Sequence, residues 1–323
     1  MTYSMVHTKY FPKDILPKDD AYHPTKNPIS EEWWYFDAIF NNNYSIHTDF
    51  TIFTKNGKIS SSAIEIYKDG ELENKVIKRH FSKPVSLSID YPQVKLNENK
   101  IINFDFERFN KTGEWVYNFS QKLEDCEINL NFIGTTKGWK IVTNDLSWTV
   151  AQPKATVFGE ITVNEEKMKV NGIGYHDHNW NSTLFTFFKI FGWYWGKITS
   201  KTYNLTWAYL MKNRTQGEIF AILNKDSRGF YSTNPKNISF KFDKFIHNHG
   251  RKIPSRFILK IKDIVNDIPI YVDATMEIKN IHFKSMLLLP YWRFHIKTNG
   301  FISMDLHEEI INDVHIMEFF RLA

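Results

Sequence analysis

The chain contains a single cysteine, Cys126. No intrachain disulfide can form, so nothing in the sequence calls for an oxidising compartment. The acidic surroundings of that cysteine, 124-EDCEINL-130, raise a thiol pKa and argue against a nucleophile there. A Gly-x-Ser-x-Gly elbow is missing, as is a glycine-rich phosphate loop between strand and helix, which removes serine-hydrolase, hydride-transfer and phosphoryl-transfer chemistry. No segment sustains a 3.6-residue apolar period, so no major helix is expected, only short helical turns such as 305-DLHEE-309. The most apolar window, 182-STLFTFFKIFGWYWG-196, carries Lys189 and is too short to cross a bilayer. The first twenty residues have no apolar signal-peptide core. Charge of one sign is also scarce: 41 basic against 36 acidic residues, a net +5, scattered along the chain. Nucleic acid is therefore not an expected partner, while a mild attraction to an anionic membrane surface is compatible with the balance. The expectation is a cytoplasmic protein, at most peripheral to a membrane.

What the sequence does have is aromatic residues: 27 Phe, 15 Tyr and 10 Trp in 323 residues, 42% of which are hydrophobic. Such a chain buries a large core and divides into about two domains. Strand-like runs are broken at short intervals by 41-NNN-43, 56-NG-57, 69-DG-70, 137-KG-138, 164-NEEK-167, 228-RG-229 and 299-NG-300, the rhythm of hairpins in an all-β fold. Prolines 12, 17, 24 and 28 mark the first thirty residues as an irregular arm. Sliding 34-WYFDAIFNNNYSIHTDF-50 onto 193-WYWGKITSKTYNLTWAY-209 superposes Trp34 on Trp193, Tyr35 on Tyr194, Phe36 on Trp195, Ile39 on Ile198 and Ile46 on Leu205. That match predicts two similar β units: an arm at 1–30, a first domain at 31–185 and a second at 186–323. If the first unit curls until its last strand meets its first, 31-EEWWYF-36 and 174-GYHDHNW-180 become neighbours.

The second of these segments concentrates the chemistry. Residues two apart share a strand face, so His176 and His178 point one way and Tyr175, Asp177 and Asn179 the other; likewise Glu32 and Trp34 oppose Trp33 and Tyr35. Three readings are open: an acid–base or ligand-contacting site, a satisfied polar network that closes the sheet, or a metal site built on His-x-His. Glu32, Asp37, His47 or His23 could supply a third metal ligand, but none stands at a telling spacing, so the expectation is no metal and no cofactor. The stretch 285-SMLLLPYW-292 reads as a buried strand or lid edge, and as a membrane-docking patch if exposed.

Glu-Trp-Trp-Tyr at 32–35 followed by Gly-x-Gly-Tyr-x-Asp-His-x-Trp at 172–180 resembles the family of carotenoid 1,2-hydratases (hydroxyneurosporene synthases) and AttH-like proteins. The resemblance implies two consecutive lipocalin-like β-barrels or strongly curled antiparallel sheets, a kinship with fungal hydratases and Diels-Alderase-type cyclases, and no metal. This chain departs from the family in having Asn181 where a glycine closes the second motif, and in having no Asp between Asp177 and Asp226. The activity implied is hydration of a C=C bond in a long acyclic isoprenoid, a carotenoid-like or prenyl lipid chain, with lipid binding without catalysis as the alternative. An acid beside an imidazole and an indole can protonate an alkene and stabilise the cation. In that scheme Asp177 or His178 donates the proton, Glu32 and His176 orient it, and Trp180, Trp34, Trp33, Tyr35 and Tyr175 form the substrate walls.

Overall fold

The computed structural model describes residues 10–27, 30–54, 57–81, 84–143, 146–183, 186, 191–226, 229–286 and 289–321. Two compact units emerge, Lys13–Thr186 and Phe187–Ala323, with Met1–Pro12 assigned to the latter. Each is one curled antiparallel sheet. In the first unit, twelve strands include the path Glu71–Phe81, Ile59–Lys68, Tyr44–Ile52, the opening strand Glu31–Phe40, the closing strand Glu166–Ser182, Ser147–Val163, Cys126–Gly134 and Val116–Leu123, continuing to Val85–Leu87. Nine strands in the second unit run Gly229–Ser232, Gly217–Lys225, Tyr203–Met211, Gly192–Thr199, His307–Arg321, Leu289–Met304, Ile268–Met286, Arg251–Val265, Ile238–Asn248. Among the described residues no helix is long and apolar enough to cross a membrane. The side chains of 285–288 lie outside the described residues, while Tyr291 and Trp292 beyond them are buried.

Alternation drives the strands. Along Cys126–Gly134, Cys126, Ile128, Leu130 and Phe132 point into the core while Glu127 and Asn129 face out. Each large apolar side chain buried this way contributes about 1.5–3 kcal/mol before the entropic cost of ordering it. Hairpin chemistry also follows the sequence at 69–70 and 164–165, where both central residues adopt the positive φ that a type I′ turn demands. Elsewhere it differs. Asn299 and Gly300 lie inside the strand Leu289–Met304, not at a turn. A Cβ at Gly300 would collide with the Asp273 carbonyl of the neighbouring strand, so this glycine serves close approach. The turn lies instead at 305–306, and His307 already begins a strand, which corrects the helical turn expected at 305–309. A seven-residue helix, Phe106–Thr112, was not anticipated; Asp105 accepts from the Arg108 N–H at its start and left-handed Gly113 ends it.

The two sheets share their strand order, and the paired opening hairpins correct the superposition read from the sequence. Ala38 pairs with Ile46 in the first unit as Ile198 pairs with Leu205 in the second, all four in their cores. The connection is one residue shorter in the second hairpin (200–203 against 40–44), so Trp34 corresponds to Tyr194, not Trp193. A one-residue slip exchanges the faces of a strand, and only the slipped register keeps both cores apolar. Core volume is conserved in the exchange: Phe36 opposite Thr48 becomes Gly196 opposite Trp207.

One buried group makes the second unit pH-sensitive. The Thr199 N–H lies 2.9 Å from Nε2 of His315, the Thr199 carbonyl lies 3.1 Å from the same nitrogen, and Nδ1 is 3.0 Å from Thr298 Oγ1. Burial pulls the His315 pKa down to about 4. A histidine depressed in the folded state contributes stability that is present above its unfolded pKa of about 6.5 and is lost as pH falls from there through about 4. Chemical unfolding at pH 7 and pH 4 should therefore show the parent losing up to about 3 kcal/mol more than His315→Gln; equal losses would remove His315 as the cause.

Candidate acid–base site

The closing strand lies antiparallel to the opening strand, with His178 opposite Trp34, Asp177 opposite Tyr35 and His176 opposite Phe36. The Gly-x-Gly that precedes the motif makes this pairing possible, because a Cβ at Gly172 would collide with the Ile39 carbonyl and one at Gly174 would stand 2.8 Å from the Asp37 carbonyl. Period-2 alternation then sends His176 and His178 inward with Trp34 and Phe36, and Tyr175, Asp177 and Asn179 to the opposite face.

Inside the first unit, the segment 13–27 delivers the missing charge. Its short turn Pro17–Asp19 is pinned by Lys140 Nζ on Asp19 at 2.6 Å, and by Thr149 Oγ1 on the Asp19 carbonyl at 2.8 Å. Asp20 follows, wholly buried, its backbone carbonyl accepting from Trp34 Nε1 at 2.9 Å. The Asp20 carboxylate oxygen Oδ2 accepts from Tyr117 Oη at 2.7 Å and meets His176 Nε2 at 2.9 Å. His176 Nδ1 faces the Tyr35 carbonyl at 2.9 Å; a carbonyl only accepts, so that nitrogen donates. Burial alone would push the Asp20 carboxyl up, but the charge and hydrogen bond of His176, with those of His178, outweigh it and hold Asp20 well below the usual carboxylate range.

From Asp20 the contacts continue outward. His178 Nδ1 is 3.5 Å from Asp20 Oδ1, and His178 Nε2 is 2.8 Å from Glu32 Oε1. The same Glu32 oxygen accepts from the His23 backbone N–H at 3.0 Å and lies 3.3 Å from His23 Nδ1. Burial lowers the His178 pKa, yet hydrogen bonds to Asp20 and Glu32 overcome it and raise the ring to about 9. His23 moves down, because its own burial and the neighbouring His178 outweigh Glu32. Each ring is clamped flat by an aromatic: Trp34 on His178 at 4.4 Å, Phe36 on His176 at 3.8 Å and Trp180 on His23 at 3.8 Å. An indole face under a desolvated imidazolium adds about 0.5–2 kcal/mol to the charged form. His23 and Trp180 are half-buried, so the network reaches the surface of the unit through this stacked pair.

The structure thus joins Glu32, Trp34, His176, His178 and Trp180 of the expected residues, and separates the others from them. Asp177 does not pair with His178. It accepts from Tyr175 Oη at 2.7 Å, Trp148 Nε1 at 2.8 Å and Asn179 Nδ2 at 3.2 Å on the other face, where Tyr35 Oη donates to Asp37 at 2.9 Å. With three donors Asp177 is a held carboxylate, and alternation places Trp33 on the Tyr35 side as well. Sequence reasoning missed Asp20, Tyr117 and Trp148, and considered His23 only as a metal ligand. His23, Glu32 and His178, at no telling spacing in the sequence, are brought together by the fold.

No family model matches the chain. A stretch of 82 residues is 30% identical to the quinolone epoxide rearrangement protein asqO of Emericella nidulans, covering 25% of this chain and 19% of that protein. Another of 57 residues is 35% identical to the quinolone epoxide rearrangement protein penF of Penicillium thymicola, covering 18% and 16%. The chain therefore matches under a fifth of the length of either relative. Solved structures agree over nearly the whole chain: an AttH-like protein from Nitrosomonas europaea (TM-score 0.68, 13% identity, 96% of this chain and 98% of that one), kievitone hydratase from Nectria haematococca (0.59, 12%, 95% and 93%) and CghA bound to Sch210972 (0.57, 11%, 92% and 89%). The chain has the fold of this hydratase and AttH-like group, to which its two motifs point.

Asp20→Asn should isolate the weight of the network. An amide keeps the size but leaves donors on His176, His178 and Tyr117 competing for one acceptor in a buried site, so the first unit should lose about 3–5 kcal/mol. A loss under about 1 kcal/mol by urea unfolding would show that the carboxylate is not bearing charge there.

Proposed function

We propose that the chain is a cofactor-independent lyase or isomerase that adds water to, or rearranges, an apolar small molecule carrying a C=C bond or an epoxide. The observation that carries this reading is the line from His178 through Glu32 to His23, backed by Asp20 at 3.5 Å from His178, which ends on a half-buried ring stacked on Trp180. Glu32 accepts from His23 Nδ1 and so leaves Nε2 to exchange a proton with substrate or water, the logic of a base oriented by a carboxylate. His178, held charged between Asp20 and Glu32, fixes the position of the Glu32 carboxyl and serves as a positioning residue. Hydration delivers one proton to carbon and removes one from water; epoxide rearrangement protonates oxygen and releases a proton from carbon. Both conserve oxidation state, and both need a group that takes and returns protons. The names of the matched relatives, a hydratase and two epoxide rearrangement proteins, support that class of chemistry. An isoprenoid substrate, prenyl or carotenoid-like, is proposed within the class on the family resemblance alone.

Binding without catalysis is favoured by one observation: Asp20, His176 and His178 are fully buried, with Asp20 bonded to His176 and 3.5 Å from His178, as in a network whose work is structural. Incubation with isoprenoid and epoxide panels in heavy-oxygen water, followed by mass spectrometry, separates the two. His23→Gln should keep the fold and lower label incorporation or rearrangement by about 10²–10⁴-fold. Undiminished turnover in that variant would remove His23 from the mechanism, and tight binding with no product in the parent would establish the carrier.

A further inference from the structure

The same geometry supports a ligand of a different kind. His23 Nδ1, Glu32 Oε1 and His178 Nε2 all lie within 4.8 Å of one another, with edges of 2.8 Å between Glu32 and His178 and 3.3 Å between Glu32 and His23. Ligand atoms at bond lengths of about 2.0–2.2 Å in a tetrahedron stand about 3.4 Å apart, so a small cation fits with shifts of about half an ångström or less on the two short edges, the third being no longer than 4.8 Å. We propose that His23, Glu32 and His178 form a binding site for a zinc-class divalent cation.

Three further features belong to such a site. Asp20 Oδ1 stands 3.5 Å behind His178 Nδ1, so a ring coordinating through Nε2 directs its other N–H at a carboxylate, the outer-shell arrangement usual for metal-bound histidine. Both imidazoles are already held in one orientation by stacked indoles, Trp34 on His178 and Trp180 on His23, which reduces the ordering cost of binding. Two carboxylates, Asp20 and Glu32, are buried at 0% and 4% exposure, and a divalent charge compensates them as well as imidazolium does. Two nitrogens and one oxygen select zinc, cobalt or nickel over magnesium and calcium, which take oxygen ligands. Three protein ligands leave a position open on the half-buried His23 side for water or an anion. Metal entry releases the protons on His178 Nε2 and His23 Nδ1 to solvent, replaces the contacts of both rings with Glu32, and so excludes the proton exchange proposed above. It would act as an inhibitor of that activity, but its binding does not depend on there being one.

The test uses the full chain without an affinity tag, stripped with chelator and then dialysed against zinc chloride, with bound metal counted by elemental analysis and affinity measured by calorimetry. About one equivalent should remain, and cobalt in its place should give the visible absorption of a four- or five-coordinate site. His23→Ala changes a half-buried ring and should leave the melting curve close to the parent's while weakening zinc by at least about tenfold; Glu32→Gln should weaken zinc as much and also lower the melting temperature, because Glu32 is buried against His178. Well under one equivalent on the parent, or equal zinc affinity in the parent and a folded His23→Ala, would overturn the site. Neither readout involves turnover, so failure here is separate from failure of the acid–base reading.

Discussion

A carboxylate wholly removed from water organises the first unit. Asp20 can be buried only if it is met by donors, and these come from strands far apart in the sequence: Tyr117 from Val116–Leu123 and His176 from the closing strand, with His178 of that strand 3.5 Å away and Trp34 of the opening strand on the Asp20 backbone carbonyl. Leaving such a charge uncompensated costs several kcal/mol, so the irregular segment 13–27, the opening strand and the closing strand are tied to a single arrangement. That arrangement in turn fixes Glu32 against His178 and sets His23 on Trp180. The acid–base line and the metal-ligand triangle are two consequences of one buried charge.

The second unit shows that the topology itself does not require this network. Its opening and closing strands pair in the same way, with Tyr194 opposite Phe319 where Trp34 faces His178, and Gly196 opposite Met317 where Phe36 faces His176. Even the ring stacking is kept: Tyr194 lies on Phe319 at 4.3 Å and 3° as Trp34 lies on His178 at 4.4 Å and 15°. An apolar pair closes one sheet and an imidazole pair closes the other. Since well-packed apolar side chains are as stabilising as a buried ion network or more so, the charged version carries a cost that closure does not explain, and the acid–base role proposed for His23 would give that cost a purpose.

Much of this could be seen in the sequence, for identifiable reasons. The neighbours 31–36 and 174–180 followed from strand closure, and the division of His176 and His178 from Asp177 followed from alternation. Alternation puts Asp177 on the face opposite the histidines but cannot say which partners wait there, and Tyr175, Trp148 and Asn179 hold it on that side. Asp20 gave no signal, because an irregular segment has no period and its burial depends on residues such as Tyr117, far along the chain. The repeat was visible in aromatic spacing, but its register depended on a loop one residue shorter, which residue identity hides and core packing reveals. Asn299-Gly300 looked like a turn because turns and close strand approaches both select glycine.

The central claim is that the polar network is carried for function and not for closure, and replacing it with the second unit's solution measures this most directly. A combined variant, Asp20→Asn, Glu32→Gln, His176→Met and His178→Phe, removes the buried charges together and leaves Met and Phe where the second unit has Met317 and Phe319. Thermal unfolding should show a folded protein melting at or above the parent's temperature. A variant that fails to fold, or melts more than about 10 °C lower, would mean that the first unit needs its imidazoles and carboxylates to close, and would contradict the account.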